Sequence, residues 1–191
     1  MNKIAIICPY FGKFPQNINF TFSSMQNNEE IDWYIFTDNV VKEKYNNIFF
    51  IKYTFKEIQT LIKEKIGTNI NYVYKLCDYK PTYGYLFEEY IEKYDFWGYC
   101  DLDVVFGDIS RFLSNKILNE YDKIYELGHF SLYKNNMEMK KAFMNIKDEK
   151  KSYLDILNSN IIYVFDEAYN LYDLDQKGIN GIIEEMRWKN I

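Results

Sequence analysis

The chain has 191 residues, enough for one domain with a sizeable core and too few for two ordinary domains. Hydrophobic residues make up 48% of the chain, which excludes disorder as the default state, and a net charge of −5 argues against a nucleic-acid-binding protein that relies on counterion release. The 19 Tyr and 15 Phe are enough to fill a core, so some Tyr are expected in a cleft or on the surface.

The cysteines and the apolar runs bear on where the protein works. Cys8, Cys77 and Cys100 have no metal-ligand spacing and stand in apolar surroundings, so we expect reduced core thiols. The sequence shows no charged-then-apolar leader and no apolar run of membrane-spanning length. We therefore expect a cytoplasmic protein, with at most peripheral contact at the inner face of the membrane.

The first third of the chain predicts strand, helix, strand, strand, helix. Residues 3–8 (KIAIIC) are a continuous apolar run typical of a buried parallel strand, and residues 32–37 (DWYIFT) and 48–53 are the next predicted strands. Residues 54–57 (TFKE) form a capping-box pattern that opens a helix, which Gly67 ends. The first helix is predicted from apolar residues at helical spacing: Phe14, Ile18, Phe22 and Met25. This order favours an α/β fold with helices outside a mostly parallel sheet.

The middle of the chain leads into a buried strand. Residues 72–94 predict a helical segment up to about Asp78 and a second helix from Pro81, because the residue before proline resists α geometry. A strand over residues 96–100 follows, and Asp108 is predicted to cap a helix that ends near Ile117.

The last third is predicted to continue the same single domain, which we take as residues 1–191. No internal repeat, low-complexity segment or linker interrupts it. Its predicted elements, in order, are strands over 121–127 and 129–133 about a turn at Gly128, helices over 135–146 and 152–157, a strand over 160–165, and a helix over 177–186.

Residues 94–109 (YDFWGYCDLDVVFGDI) carry the most distinctive chemistry, a pair of carboxylates after an apolar strand. Side chains at i and i+2 of an extended segment leave the backbone on the same side, so Asp101 and Asp103 are expected to point together. Two like charges repel, and a divalent cation with oxygen ligands would offset them while holding a diphosphate. The simpler alternative is a strand-end pair in which one Asp caps the next helix.

Distinctive residues also follow other predicted strands. In open α/β sheets, ligands bind outside the carboxyl ends of the strands. If the sheet is mostly parallel, these ends converge on one cleft. The strand ends concerned are Pro9-Tyr10-Phe11, Thr37-Asp38, Asp101-Leu102-Asp103 and Asp166-Glu167.

Four motifs occur together in this chain: WGYCDLDVVFGDI, KLCDYKPTYGYLFEEYIEKYDF, CPYFGKFP and WYIFTDN. Their combination resembles a group of small bacterial glycosyltransferases with the GT-A fold, some encoded with polysaccharide genes. The likeness runs from the first strand to about Glu167. It implies a Rossmann-like domain that moves a sugar, as a hexosyltransferase does, from a nucleoside-diphosphate sugar to a glycan or lipid-linked acceptor.

The resemblance also implies roles for individual residues. The DxD would hold Mn²⁺ or Mg²⁺ against the donor diphosphate, with Asp103 as a direct metal ligand and Asp101 contacting metal and ribose. The other donor-binding positions would be Pro9, Tyr10 and Phe11 beside the nucleobase, Asp38 near the base or ribose, and Lys75 and Asp78 along the donor, with Lys75 available to a phosphate.

Two later motifs match the same group and supply the candidate catalytic residues. GHFSLYKN carries His129, the only histidine, beside the donor sugar or acceptor, and FDE carries Asp166 and Glu167, which would orient or deprotonate an acceptor hydroxyl. The alternatives are an ordinary turn histidine and an acidic pair that begins a loop.

The resemblance has a gap at the C-terminal end. Members of the group continue well past the FDE segment, and many GT-A enzymes take a third metal ligand, often His, from there. Either His129 or water completes the metal shell, or the chain is a C-terminally truncated form that binds donor and turns over poorly.

Two other functions compete with this one. DLDVV also fits the motif of haloacid-dehalogenase-like phosphatases, with Asp101 as nucleophile and Asp103 as acid/base, but about a hundred residues precede it here. A non-catalytic or degenerate nucleotide-sugar-binding module is the non-enzymatic alternative.

Overall fold

A computed structural model describes residues 2–125, 127–145 and 151–167, and it places six strands in one sheet. The strand order is β3-β2-β1-β4-β6-β5; β1 to β4 are parallel, whereas β6 runs antiparallel to β4 and to β5. The predicted α/β class with a mostly parallel sheet is therefore confirmed. The strands are β1 (Ile4–Tyr10), β2 (Ile31–Thr37), β3 (Ile48–Lys52), β4 (Phe96–Cys100), β5 (Lys123–Ile124) and β6 (Phe130–Lys134).

Eight α-helical segments flank the sheet in the described part of the chain, and most of them are short. They are α1 (Ile18–Gln26), α2 (Phe55–Lys65), α3 (Leu76–Tyr79), α4 (Tyr83–Leu86), α5 (Glu88–Ile91), α6 (Asn115–Glu120), α7 (Met137–Lys140) and α8 (Tyr153–Asn158). Short 3₁₀ turns join some of them, at Val73–Lys75, Lys80–Thr82, Ile109–Arg111 and Ala142–Asn145. The two predicted helices around Pro81 are thus a chain of single turns, with Pro81 inside a 3₁₀ turn.

The sheet is covered on both faces, as is typical of parallel strands rich in apolar residues. Successive strand residues point to opposite faces, so Ile7, Phe36 and Trp97 join one core cluster with α2 to α5, α7 and α8. Ile6 and Trp33 join the other cluster, with α1 and residues 102–121. The helices on both faces fix the strand ends from which the loops emerge.

The sheet order reverses beside β1. β2 and then β3 lie on one side of β1, whereas β4, the next strand in the chain, lies on the other side of β1. The carboxyl ends of β1 and β4 therefore border a topological switch point, the place where open α/β sheets bind ligands. At these ends the Sγ atoms of Cys8 and Cys100 lie 3.3 Å apart.

The three cysteines are free thiols in the structure. Cys8 and Cys100 are buried in the core, as expected, whereas Cys77 is only half-buried. Burial raises the pKa of Cys77 to about 12, so its thiol keeps its proton at neutral pH.

The predicted strand over residues 160–165 is wrong. Among the described residues this segment pairs with no strand; instead the buried Asp78 carboxylate accepts hydrogen bonds from the backbone N–H groups of Tyr163 and Phe165. A side chain thus satisfies donors that a neighbouring strand would otherwise take, and the acidic pair that follows does not stand at a strand end.

The predicted helix cap at Asp108 is also wrong. Its carboxylate accepts hydrogen bonds from Ser110 Oγ and Arg111 Nε, and only a 3₁₀ turn follows it. Ser114 instead caps α6 by accepting a bond from the Ile117 N–H. The helix predicted over 177–186 and the end of the one predicted over 135–146 lie outside the described residues.

A bilayer-spanning segment was not expected from the sequence. Among the described residues, no helix has the length and apolar character to cross a membrane.

Candidate active site

The DxD segment leaves the sheet directly after β4. Cys100 ends the strand, and the backbone N–H of Asp101 donates to the carbonyl oxygen of His129 at 3.2 Å. Leu102 is buried, and its carbonyl oxygen accepts a bond from Thr21 Oγ1 on α1. With Leu102 anchored inward, the Asp101 side chain stays 40% exposed and Asp103 is exposed. Both carboxylates therefore remain accessible at the switch point.

Lys80 connects this edge to the distant FDE segment. Its Nζ atom lies 2.8 Å from Asp101 Oδ1 and 2.8 Å from Asp166 Oδ2, and it donates to the carbonyl oxygen of Gly128 at 2.9 Å. Burial lowers the pKa of Lys80, but the Asp166 and Asp101 carboxylates outweigh that effect and raise it above its ordinary value. The ammonium is thus a permanent cation between two carboxylates.

Asp166 is the buried partner of this ion pair. Only 3% of the residue is exposed, and burial raises the pKa of its carboxyl despite the opposing effect of Lys80. A Cβ atom on Gly128 would lie 2.2 Å from Asp166 Oδ2 and 3.0 Å from Glu167 Oε1. Only glycine therefore lets the GHF loop approach the acidic pair this closely.

His129 lies next to Asp101 through its backbone, and its side chain is exposed. Glu167 is half-buried beside Gly128. The structure therefore gathers these predicted catalytic residues around Asp101, although the FDE segment arrives through an irregular loop and not through a strand.

Lys75 and Asp78 occupy a different place, beneath the surface. They are 1% and 0% exposed, and Lys75 Nζ donates to Asp78 Oδ2 at 2.7 Å and to the carbonyl oxygens of Ile156 and Ile161. All three ammonium protons have protein acceptors, so Lys75 does not face a cleft. This pair ties the loop after α8 to the 3₁₀ turn before α3, and a contact with a donor phosphate would require it to open.

The predicted nucleobase side is formed by the loops after β1 and β2. Tyr10 is half-buried with its ring centroid 5.4 Å from that of Phe14, whereas Phe11 is 7% exposed and packs into the core. Asp38 Oδ1 accepts a bond from the Gly12 N–H at 3.0 Å, where Gly12 has a φ of +91°. Pro9 and Tyr10 are the last two residues of β1, and Asp38 holds in place the turn at Gly12 that follows them. Tyr10 is the ring there that remains partly accessible.

The structure adds Lys80 and Gly128 to the site, and neither was predicted. Both lie in motifs singled out from the sequence, KLCDYKP and GHFSLYKN. The available signal was a second lysine in the motif that also carries Lys75 and Asp78, but a sequence does not show which distant carboxylates such a lysine meets.

The residues present give a limited donor set for a metal ion. No group of three or more His, Cys, Asp and Glu side chains with metal-site geometry occurs within the described ranges. Asp101 and Asp103 would supply one or two carboxylates. That number suits Mg²⁺ or Mn²⁺ bound together with phosphate oxygens and water, the usual arrangement for Mg²⁺ in phosphate sites. The residues would hold such a cation weakly by themselves, and more firmly when a ligand brings phosphate oxygens of its own.

Another groove, of about 310 Å³, lies at the opposite edge of the parallel strands. It borders the amino ends of β1 and β2, away from the edge where open α/β sheets bind ligands. Its charged lining residues are Lys3, Glu29, Glu30, Asp32 and Lys93.

These features define an α/β protein with an acidic, lysine-bridged site at the switch point of its sheet. The chain belongs to a family of unknown function (DUF6625), whose sequence model matches residues 6–191. No curated protein and no solved structure matches the chain.

Proposed function

We propose that the chain is a metal-dependent glycosyltransferase with a GT-A-like domain, which moves a sugar from a nucleoside-diphosphate sugar to a glycan or lipid-linked acceptor. One observation carries the proposal: the DxD carboxylate Asp101 and the acidic residue Asp166 meet on one ammonium at the carboxyl edge of the sheet. An exposed carboxylate at this edge could hold a cation against a charged donor, and the acidic pair beside it could serve an acceptor hydroxyl.

Asp101 and Asp103 form the metal end of the proposed site. Asp103 offers an exposed carboxylate, and Asp101 offers the oxygen that Lys80 leaves unbonded. A bound Mn²⁺ or Mg²⁺ would stabilise the charge that develops on the departing diphosphate. Tyr10 at the end of β1 gives the nucleobase a partly accessible ring beside this point.

Glu167 and His129 form the acceptor end. Asp166 is buried and engaged with Lys80, so it orients the site and does not itself reach a substrate. Glu167 is more accessible, follows it directly, and is the better candidate to orient or deprotonate an acceptor hydroxyl. His129 has an exposed side chain, and its backbone carbonyl accepts the Asp101 N–H, so its imidazole would be a second polar group near this end of the site.

A nucleotide-sugar-binding module that needs no metal is the second candidate. The ammonium of Lys80, 2.8 Å from Asp101, already supplies positive charge at the place where a cation would lie. A phosphatase has less support, because Asp101 follows the fourth strand of this sheet and not the first.

Calorimetry with UDP and GDP, in the presence of Mn²⁺ or of EDTA, tests the proposal. We expect binding of at least one nucleotide with Mn²⁺ only, and we expect Asp101→Asn and Asp103→Asn each to abolish it while circular dichroism shows an intact fold. Asp122→Asn is the matched control, since Asp122 forms an exposed ion pair with Lys134 at the opposite end of β4.

The other possible outcomes distinguish the glycosyltransferase from the metal-independent binding module and from the phosphatase. Nucleotide binding in EDTA that survives both substitutions would favour the metal-independent module. Hydrolysis of a phosphomonoester that Asp101→Asn removes would favour the phosphatase. If no nucleoside diphosphate binds, the proposed function is contradicted.

A further inference from the structure

We infer that Lys80 is a positioning residue that controls how the site accepts a divalent cation: its ammonium competes with metal for Asp101, so the free protein binds metal weakly and takes it up together with an anionic ligand. This inference rests on the metal role that the proposed function gives to Asp101.

The hydrogen bonding of Lys80 indicates that it acts through its protein partners. An ammonium has three protons, and Lys80 has three oxygen acceptors within 2.9 Å: Asp101 Oδ1, Asp166 Oδ2 and the Gly128 carbonyl. No proton is left for a substrate oxygen in this arrangement. Lys80 therefore acts by placing the Asp101 carboxylate, not by contacting a ligand.

The burial of the three groups decides which bond can exchange. Lys80 and Asp166 have side chains that are 10% and 2% exposed, so separating them would leave a buried charge without a partner. The Asp101 side chain is 40% exposed, and water can replace the ammonium there at much lower cost. The Lys80–Asp166 pair is thus the fixed part of the cluster, and Asp101 is the part that can move.

The charges give the direction of the effect. The ammonium occupies one oxygen of Asp101 and repels any second cation that approaches the other oxygen. No other ion pair or side-chain hydrogen bond of Asp101 occurs among the described residues. A diphosphate brings negative charge that offsets this repulsion, so metal and nucleotide are expected to bind cooperatively.

The test measures Mn²⁺ binding without nucleotide, by the electron paramagnetic resonance signal of free Mn²⁺. Lys80→Met alone would leave Asp166 buried without a counter-charge, so the comparison is made in an Asp166→Asn background, where the isosteric amide carries no charge. Relative to Asp166→Asn alone, the added Lys80→Met is expected to tighten Mn²⁺ binding by about tenfold or more, since one adjacent like charge is removed.

Two further variants in the same background identify the cause. Lys80→Arg keeps the positive charge and should leave Mn²⁺ binding weak, whereas Lys80→Gln removes the charge, keeps a donor for the Gly128 carbonyl, and should tighten it as Lys80→Met does. Adding Asp101→Asn to the Lys80→Met variant should remove the gain, because the released cation site is Asp101 itself.

Equal Mn²⁺ affinity with and without the Lys80 charge would overturn the inference, and so would a gain that survives Asp101→Asn. Failure of the proposed function gives a different result: Mn²⁺ binding would respond to Lys80 as expected, but no nucleotide diphosphate would bind the wild-type protein. Mn²⁺-dependent nucleotide binding with no response to Lys80 would overturn the inference alone.

Discussion

Lys75 and Lys80 come from the same run of short helical turns, and each has three oxygen acceptors, but their surroundings differ. Lys75 meets a fully buried carboxylate, the carbonyl oxygen of Ile156 in α8 and the carbonyl oxygen of Ile161 in the loop after α8. Lys80 meets one buried carboxylate and one that is 40% exposed. The first lysine is therefore placed to hold the fold together, and the second to act at a surface where a ligand can arrive.

The buried position of Lys75 predicts a large effect on stability. Lys75→Met leaves the Asp78 carboxylate buried without its cation, and we expect the free energy of unfolding to fall by about 3–5 kcal/mol in urea titrations. Lys65→Met is the control: its pair with Glu88 has side chains that are 28% and 38% exposed, so the expected loss is within about 1 kcal/mol. A Lys75→Met protein of unchanged stability that no longer binds nucleotide would support the donor-binding role predicted from sequence.

Among the elements, the sequence predicted strands from continuous apolar runs, and helix α2 from its capping box. These are local signals, so β1 to β4 and the start of α2 are where they were expected. Residues 160–165 have the same apolar character, but the donors of this segment bond to the Asp78 side chain, a partner that lies far away along the chain. No local pattern carries that information, and this is why the predicted strand is wrong.

The capping box of α2 allows a pH-dependent test of one element. Thr54 Oγ1 accepts the N–H of Glu57, and hydrogen bonds from the side chain and backbone of Thr54 lower the pKa of Glu57. A lowered pKa means that this contribution is present at neutral pH and is lost as the pH falls through the lowered value. Thr54→Ala is expected to cost about 1 kcal/mol of unfolding free energy at pH 7, and less once the pH has fallen through the lowered pKa of Glu57.

Thr60→Ala in the same helix is the matched control for this measurement. Thr60 Oγ1 bonds back to the carbonyl oxygen of Lys56 in the middle of α2, where alanine is the better helix former. Its replacement should not lower stability at either pH. A Thr54→Ala effect that stays the same above and below the pH range in which Glu57 titrates would show that the Glu57 charge contributes nothing through the cap.

At the scale of the whole molecule, the candidate site depends on topology. Asp101 was predictable because a buried strand precedes it, and the convergence of strand ends follows from a parallel sheet. Asp101 and Asp166 were expected to lie close together because residues 160–165 were predicted to form a strand that ends at Asp166. That segment is an irregular loop, and the two carboxylates meet because Lys80 forms an ion pair with each of them. Two ion pairs that share Lys80 join three separate parts of the chain, and such a cluster is a property of the complete fold.

The assembly of the site from distant segments predicts that an occupied site stabilises the whole domain. A nucleotide diphosphate with Mn²⁺ at a concentration about 100 times its Kd adds about 2.7 kcal/mol to the free energy of unfolding, if it binds the folded state only. For a chain of 191 residues this corresponds to a rise in Tm of about 5–10 °C, measured by calorimetric or fluorescence melting. Asp103→Asn should remove the rise while leaving the Tm without ligand nearly unchanged, because Asp103 is exposed and has no ion-pair partner among the described residues. A rise of the same size in that variant would place the nucleotide away from the DxD segment.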